Sequence, residues 1–223
     1  MKNLLLATSV MAGLACVGAL PAQAQSADDA PVGKAAGTFM VRGRIVGVIP
    51  QNSSSSISGA INGGSVSTSN FATPEVDLSY FFTDHIATEL IAATSKHDLY
   101  ANNTPLGSSY RVGSTWVLPP TLLLQYHFMP HERFSPYIGV GVNASIFYAT
   151  QAANNAVTSL SMKSNFGVAA QVGFDYNFSG RWFANVDFKQ IWVNTQASIN
   201  GGAIVAKTAL NPSVVGVGLG YRF

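Results

Sequence analysis

The chain has a single cysteine among 223 residues, Cys16, and it lies in an apolar stretch near the N-terminus. That excludes a disulfide framework, and beyond residue 24 no thiol remains for catalysis or metal binding. Charge is scarce too. Only 10% of residues are charged, and 12 Lys and Arg against 10 Asp and Glu give a formal net charge of +2. So small an imbalance argues against nucleic acid as a partner. Also absent is a long apolar run: after residue 24 none approaches the roughly 20 residues that a spanning helix needs. Mean hydropathy is nevertheless positive, with the apolar residues dispersed among Gly, Ser, Asn and Thr.

What is present begins with an export signal. Met1-Lys2 is a positive start, Leu4 to Leu20 is nearly uncharged, and Pro21-Ala22-Gln23-Ala24 ends in small residues. This is the pattern of a secretory signal peptide over residues 1–24, cleaved after Ala24. Gly13 stands three before Cys16, where a lipoprotein signal wants an aliphatic residue, so lipidation is not expected. Residues 25–37 are polar and Ala/Gly-rich and read as a short periplasmic lead-in. Residues 38–223 suit one domain.

Beyond the lead-in the hydrophobic period is two, which argues strand. Phe39, Val41, Ile45 and Ile49 share one face and Arg42 and Arg44 the other. The second segment sets Val76, Leu78, Tyr80 and Phe82 against Glu75, Asp77 and Ser79; the third sets Ile86, Thr88, Leu90 and Ala92 against Glu89 and Ile91. Leu122 to Phe128, Ile138 to Ile146, Phe166 to Phe178, Trp182 to Trp192 and Val215 to Phe223 alternate in the same way. The predicted loops over 52–70, 95–112, 150–162 and 197–206 are long and follow odd-numbered segments; short turns follow even-numbered ones. Short periplasmic turns with longer external loops are the asymmetry of a membrane meander barrel. A spanning sheet must also close, because lipid cannot satisfy an open edge. The fold predicted is therefore all-β, an eight-stranded antiparallel up-and-down transmembrane β-barrel in the bacterial outer membrane, exported and monomeric.

The two faces divide the remaining chemistry. Tyr80, Phe82, Tyr126, Phe128, Tyr176, Phe178, Trp182, Tyr221 and Phe223 fall at turn-side strand ends and read as the periplasmic aromatic girdle. Arg42, Arg44, Glu75, Asp77, Glu89, Asp175, Asp187, Lys189 and Arg222 fall on the lumen face. Buried charges must be paired or hydrated, so this set reads as an ionic network filling a narrow barrel rather than as a selectivity ring. Gly139 and Gly141, with Gly216, Gly218 and Gly220, leave it room. His127 and His131 are four apart, but Pro130 and a turn separate them, so they share no helix face; with His85 and His97 they read as free surface histidines, and no metal or cofactor is expected. His97 and Asp98 with Ser108 and Ser109 make no spaced catalytic constellation, and no enzyme is expected.

Several stretches together resemble the outer-membrane protein W (OmpW) family. They are Gly37 to Arg42, Tyr80 to Asp84, Glu89 to Thr94, Leu118 to Leu122 with Gln125-Tyr126, Pro136 to Asn143, Gly167 to Tyr176 and Gly220 to Phe223. The resemblance implies a role in passing small hydrophobic compounds across the outer membrane, and some members are bacteriocin receptors. It implies an external apolar pocket above an apolar constriction, with a sideways opening to the bilayer. One constriction residue matches Ile91; the other, aromatic in the family, is Lys189 here. Lys189 leaves two readings open: a charged gate, or a salt-bridged plug with Glu89 or Asp187. Leu118, Pro119 and Pro120 mark the candidate opening, since proline donates no ladder hydrogen bond. The expected partners are outer-membrane lipids, small hydrophobic solutes and, through Phe223, the outer-membrane assembly machinery. The alternative is a non-conducting structural or surface-interaction barrel, a bacteriocin or phage-type receptor with a plugged lumen.

Overall fold

A computed structural model describes residues 33–60, 62–105, 107–153 and 157–223. The predicted signal peptide and the first part of the lead-in lie outside the described residues. Eight strands wind round the barrel: β1 (Phe39–Ile49), β4 (Phe71–Phe81), β5 (Ile86–Ala93), β8 (Thr121–His127), β9 (Phe134–Ala152), β11 (Asn165–Ser179), β12 (Trp182–Trp192) and β15 (Ser213–Arg222). Each pairs antiparallel with its neighbour in this order, and β15 returns to β1, so the wall closes without an edge. Closure gives each of the eight strands a partner on both sides within one chain, as lipid requires.

Alternation sets the two faces. Ile45, Leu124, Val140, Val142, Phe166, Val217 and Leu219 stand exposed on the outside, where lipid covers them. The girdle rings pack on one another at the turn ends: Tyr80 with Phe82, Tyr126 with Phe128, and Trp182 with Tyr221 and Phe223 in sequence. Inside, three layers stack. Met40, Phe81, Ala87 and Phe183 form an apolar periplasmic layer, charged residues fill the middle, and Val46, Ile91, Leu123, Ala169, Ile191, Val193 and Val214 form an apolar layer above.

The segments read as long loops are largely strand. β2 (Ser53–Gly59) and β3 (Ser65–Thr68) occupy the first, β6 (Ser95–Thr104) and β7 (Gly107–Leu118) the second, β10 (Leu160–Met162) the third, and β13 (Asn194–Ile199) and β14 (Ile204–Ala209) the fourth. These strands extend the wall outward round a small core that includes Ile57, Val66, Leu99, Ile199 and Ala206. The physical reason for the difference is contrast. Their outer faces meet water and carry Ser, Asn and Lys, so the large apolar residues that mark a lipid-facing strand are missing.

Register places the glycines against the arginines. On β1, Arg42 faces Asp77 of β4 on one side and Gly220 of β15 on the other; Arg44 faces Glu75 and Gly218 in the same way. A Cβ at Gly218 would lie 2.8 Å from Arg44 Cγ, and one at Gly220 would overlap the buried Phe183 ring. We predict that Gly220→Val destabilises the folded barrel by about 1–3 kcal/mol. Urea unfolding in lipid should show the loss, and Val217→Ile on the lipid face should show none.

Candidate functional site: an apolar pocket over an ionic floor

Two arginines organise the middle layer. Arg42 Nη1 donates to Asp77 Oδ1 at 2.7 Å, Ser79 Oγ at 2.8 Å and Glu89 Oε1 at 2.9 Å, while its Nη2 lies 3.3 Å from Asp175 Oδ2. Arg44 Nη2 is 2.8 Å from Asp77 Oδ2 and 2.9 Å from Glu89 Oε1, and its Nη1 is 3.5 Å from Asp187 Oδ1. Gln125 and Gln171 donate to the other oxygen of Glu89, Gln171 also to Asp187, and Asn185 to Asp175. Arg42, Asp77 and Glu89 are fully enclosed. Ions so buried persist because each carboxylate meets a cation or amide donor; one left alone would be very costly.

The lead-in closes the network from below. Lys34 is buried, and its Nζ donates to Asp175 Oδ2 at 2.7 Å and Ser135 Oγ at 2.9 Å, with His127 Nδ1 at 3.0 Å. Its backbone N–H bonds Pro130 O, and the next residues are tied down by Ala36 N–H on Asp84 and Gly37 N–H on Phe81 O. Burial pushes the Lys34 ammonium down from the usual 10.5 to about 8, against the pull of Asp175.

Above the network lies a cavity of about 870 Å³, its open mouth included. Val46, Val48, Ile91, Val117, Phe147 and Ile191 are among its apolar lining residues, and Glu75 and Lys189 also line it. Lys189 Nζ donates to Asp187 Oδ1 at 2.6 Å and Glu75 Oε1 at 2.9 Å, so the pocket ends on an ion-paired cluster. Beside it the wall is interrupted. The β5–β8 ladder stops at Ile91 opposite Thr121, and the β6–β7 ladder starts at Ser95 opposite Val117. Between them Ala92, Ala93 and Thr94 stand across from Leu118, Pro119 and Pro120, and Pro119 lines the cavity.

Comparison with known proteins gives the family. Residues 35–223 match the OmpW family. The chain belongs to that family. It is 40% identical to an uncharacterized outer-membrane protein, y4mB, of Sinorhizobium fredii, over 92% of this chain and 90% of the relative. It is 34% identical to outer membrane protein W of Vibrio cholerae, over 84% and 89%. Among solved structures, OprG of Pseudomonas aeruginosa superposes with a TM-score of 0.80 at 30% identity, over 86% of this chain and 98% of that one. The protein is thus an outer-membrane barrel of the OmpW family.

Within that family frame, the structure places Ile91 and Lys189 together on the pocket lining. Lys189 pairs with Asp187 and Glu75, not with Glu89. Arg42, Arg44, Glu75, Asp77, Glu89, Asp175 and Asp187 form one cluster with it. Arg222 lies lower, at the periplasmic rim, on the carbonyls of Gly33 and Gly180. The histidine reading also needs correcting. His131 is exposed near Asp84, but His127 and His97 are buried, because both take the inward parity of their strands. Among the described residues no group of three or more His, Cys, Asp or Glu could hold a metal ion. His97 meets Ser95 and the Ser69 carbonyl, not the serines at 108 and 109. Lys34, Gln125, Tyr137, Gln171 and Asn185 were missed; all but Lys34 lie on the inward face of their strands.

Removing Arg42 would take one of two guanidiniums from Asp77 and Glu89 and the guanidinium contact from Asp175, leaving buried carboxylates under-compensated, so Arg42→Ala should cost about 3–5 kcal/mol, read as loss of the heat-resistant folded form. A second prediction concerns pH. Lys34 titrates at about 8 when folded and near 10.5 when unfolded. The unfolded chain therefore binds more protons between these values, and stability rises with pH across that window. Unfolding curves at pH 7.5 and 10 should show that rise, and Lys34→Met should flatten it.

Proposed function

We propose that this protein takes small hydrophobic molecules from outside into its external pocket and releases them sideways into the outer membrane. The carrying observation is the apolar cavity seated on an ion-paired floor. An apolar solute gains by leaving water for such a lining, at about 25 cal/mol per Å² buried. It gains nothing by moving on through the charged layer, where it would displace paired ions without replacing their contacts. The interrupted wall at Leu118, Pro119 and Pro120 supplies the exit, since two prolines cannot donate to a neighbouring strand. From pocket to acyl chains is a transfer between two apolar media, so partition alone drives release and no cofactor is needed. In this reading Lys189 is part of the seal, and Ile91 is the apolar step directly above it.

The sealed floor also supports a second reading, a non-conducting barrel whose external strands contact bacteriocins, phage or envelope components. Uptake decides between them. Proteoliposomes carrying wild type should accumulate a short-chain hydrocarbon probe faster than protein-free vesicles, with negligible ionic conductance. Ile91→Arg, which puts a charge into the apolar layer, should lower that rate about tenfold. Wild-type uptake equal to the protein-free rate would overturn the pathway reading.

A further inference from the structure

The pocket has six hydroxyl-bearing side chains on its lining, and the direction of their hydrogens is the informative feature. Thr68 Oγ1 donates to Asn52 Oδ1 at 2.8 Å, Thr73 Oγ1 to Thr94 O at 2.6 Å, Thr121 Oγ1 to Pro119 O at 3.0 Å and Ser145 Oγ to Asn143 Oδ1 at 2.8 Å. Thr115 Oγ1 is directed at the carbonyls of Trp116 and Tyr148 and lies 3.0 Å from Thr150 Oγ1. Ser95 completes the set through His97. Nδ1 of His97 lies 2.7 Å from Ser69 O, an acceptor only, so that nitrogen carries the hydrogen. Burial of this external-strand imidazole holds its pKa below the usual 6.5, so the ring is neutral and Nε2 is an acceptor. Ser95 Oγ, 2.9 Å from Nε2, is then the donor.

Each of these hydrogens is engaged within the wall, so none of the six hydroxyls is a free donor toward a ligand; Thr121 Oγ1 also accepts from Asn143 Nδ2 at 2.8 Å. The floor has the same sense. Glu75 Oε1 takes Lys189 and lies 2.9 Å from Arg44 Nε, while Oε2 accepts no hydrogen bond from a described residue. Lys189, the cation on the lining, is already held by two carboxylates. Counted by formal charge, five acids (Glu75, Asp77, Glu89, Asp175, Asp187) face four cations (Lys34, Arg42, Arg44, Lys189) in the cluster below.

We infer that the pocket selects amphiphiles with an apolar chain and a hydrogen-bond-donating head, an amine or an alcohol, and rejects carboxylates. The inference rests on the pathway reading and names its substrate class. A donating head finds Ser95 Oγ and the free Glu75 oxygen as acceptors. A carboxylate brings lone pairs against lone pairs and a negative charge against Glu75, and loses its hydration with nothing in return.

The test uses the folded protein in nanodiscs of zwitterionic lipid, with calorimetric titration of octylamine, octan-1-ol, octane and octanoate corrected for empty nanodiscs. Octylamine and octanol should bind at least about tenfold tighter than octanoate, the worth of one retained hydrogen bond. Ser95→Ala should narrow the octanol-over-octane ratio, and Thr68→Val, which removes a second hydroxyl oxygen from the lining, provides the same readout if the first variant folds poorly. Octanoate binding as tightly as octylamine, with octane also bound, would overturn the head-group selection and leave the pocket reading intact. Absence of binding by all four, octane included, would overturn the pathway reading and this inference with it.

Discussion

Arg42 and Arg44, two residues apart on one strand, carry the interaction on which the rest of the barrel depends. An eight-stranded barrel has an interior that side chains must fill, and here the filling is ionic rather than apolar. Each guanidinium spans several strands at once, reaching Asp77 on β4 and Glu89 on β5 to one side and Asp175 on β11 or Asp187 on β12 to the other. The planar fork with its several donors makes this possible, and a lysine could not substitute for it. The glycines of β15 belong to the same arrangement, because the space beside Arg44 exists only where Gly218 has no side chain.

That ionic middle layer divides the molecule. Below it, Lys34 and a ring of buried aromatics including Phe81 and Phe183 close the periplasmic end. Above it, the walls turn apolar and widen into a pocket that continues between strands standing clear of the membrane. A charged plug directly under an apolar cavity leaves an apolar solute no favourable way down. The cavity and the interrupted ladder support the proposed account, in which the route bends toward lipid instead of running along the barrel axis.

Much of this was legible in the chain. The parity of Arg42, Arg44, Glu75, Asp77 and Glu89 against Val41, Val76 and Leu90 assigns the lumen without coordinates, and loop asymmetry assigns the direction. His127 shares the parity of Gln125, so its burial was readable from alternation, although surface histidines are the commoner case. Other features had no periodic signal. Lys34 enters the lumen from an irregular segment, where no repeat predicts direction. The external strands alternate, but Ser56 against Ile57 or Lys207 against Ala206 is a weak contrast beside Leu124 against Gln125. The hydroxyl directions that decide the character of the pocket depend on partners far away in sequence, such as Asn52 for Thr68.

The central claim is that an apolar solute occupies the external pocket and goes no further down the lumen. Contacts from a ¹³C-labelled hydrocarbon to the protein, measured by solid-state NMR in lipid bilayers, test it most directly. The account predicts contacts to Ile91, Val193 and Pro119 and none to Asp175 or His127. Contacts to Asp175 and His127 would show passage through the ionic layer and contradict it.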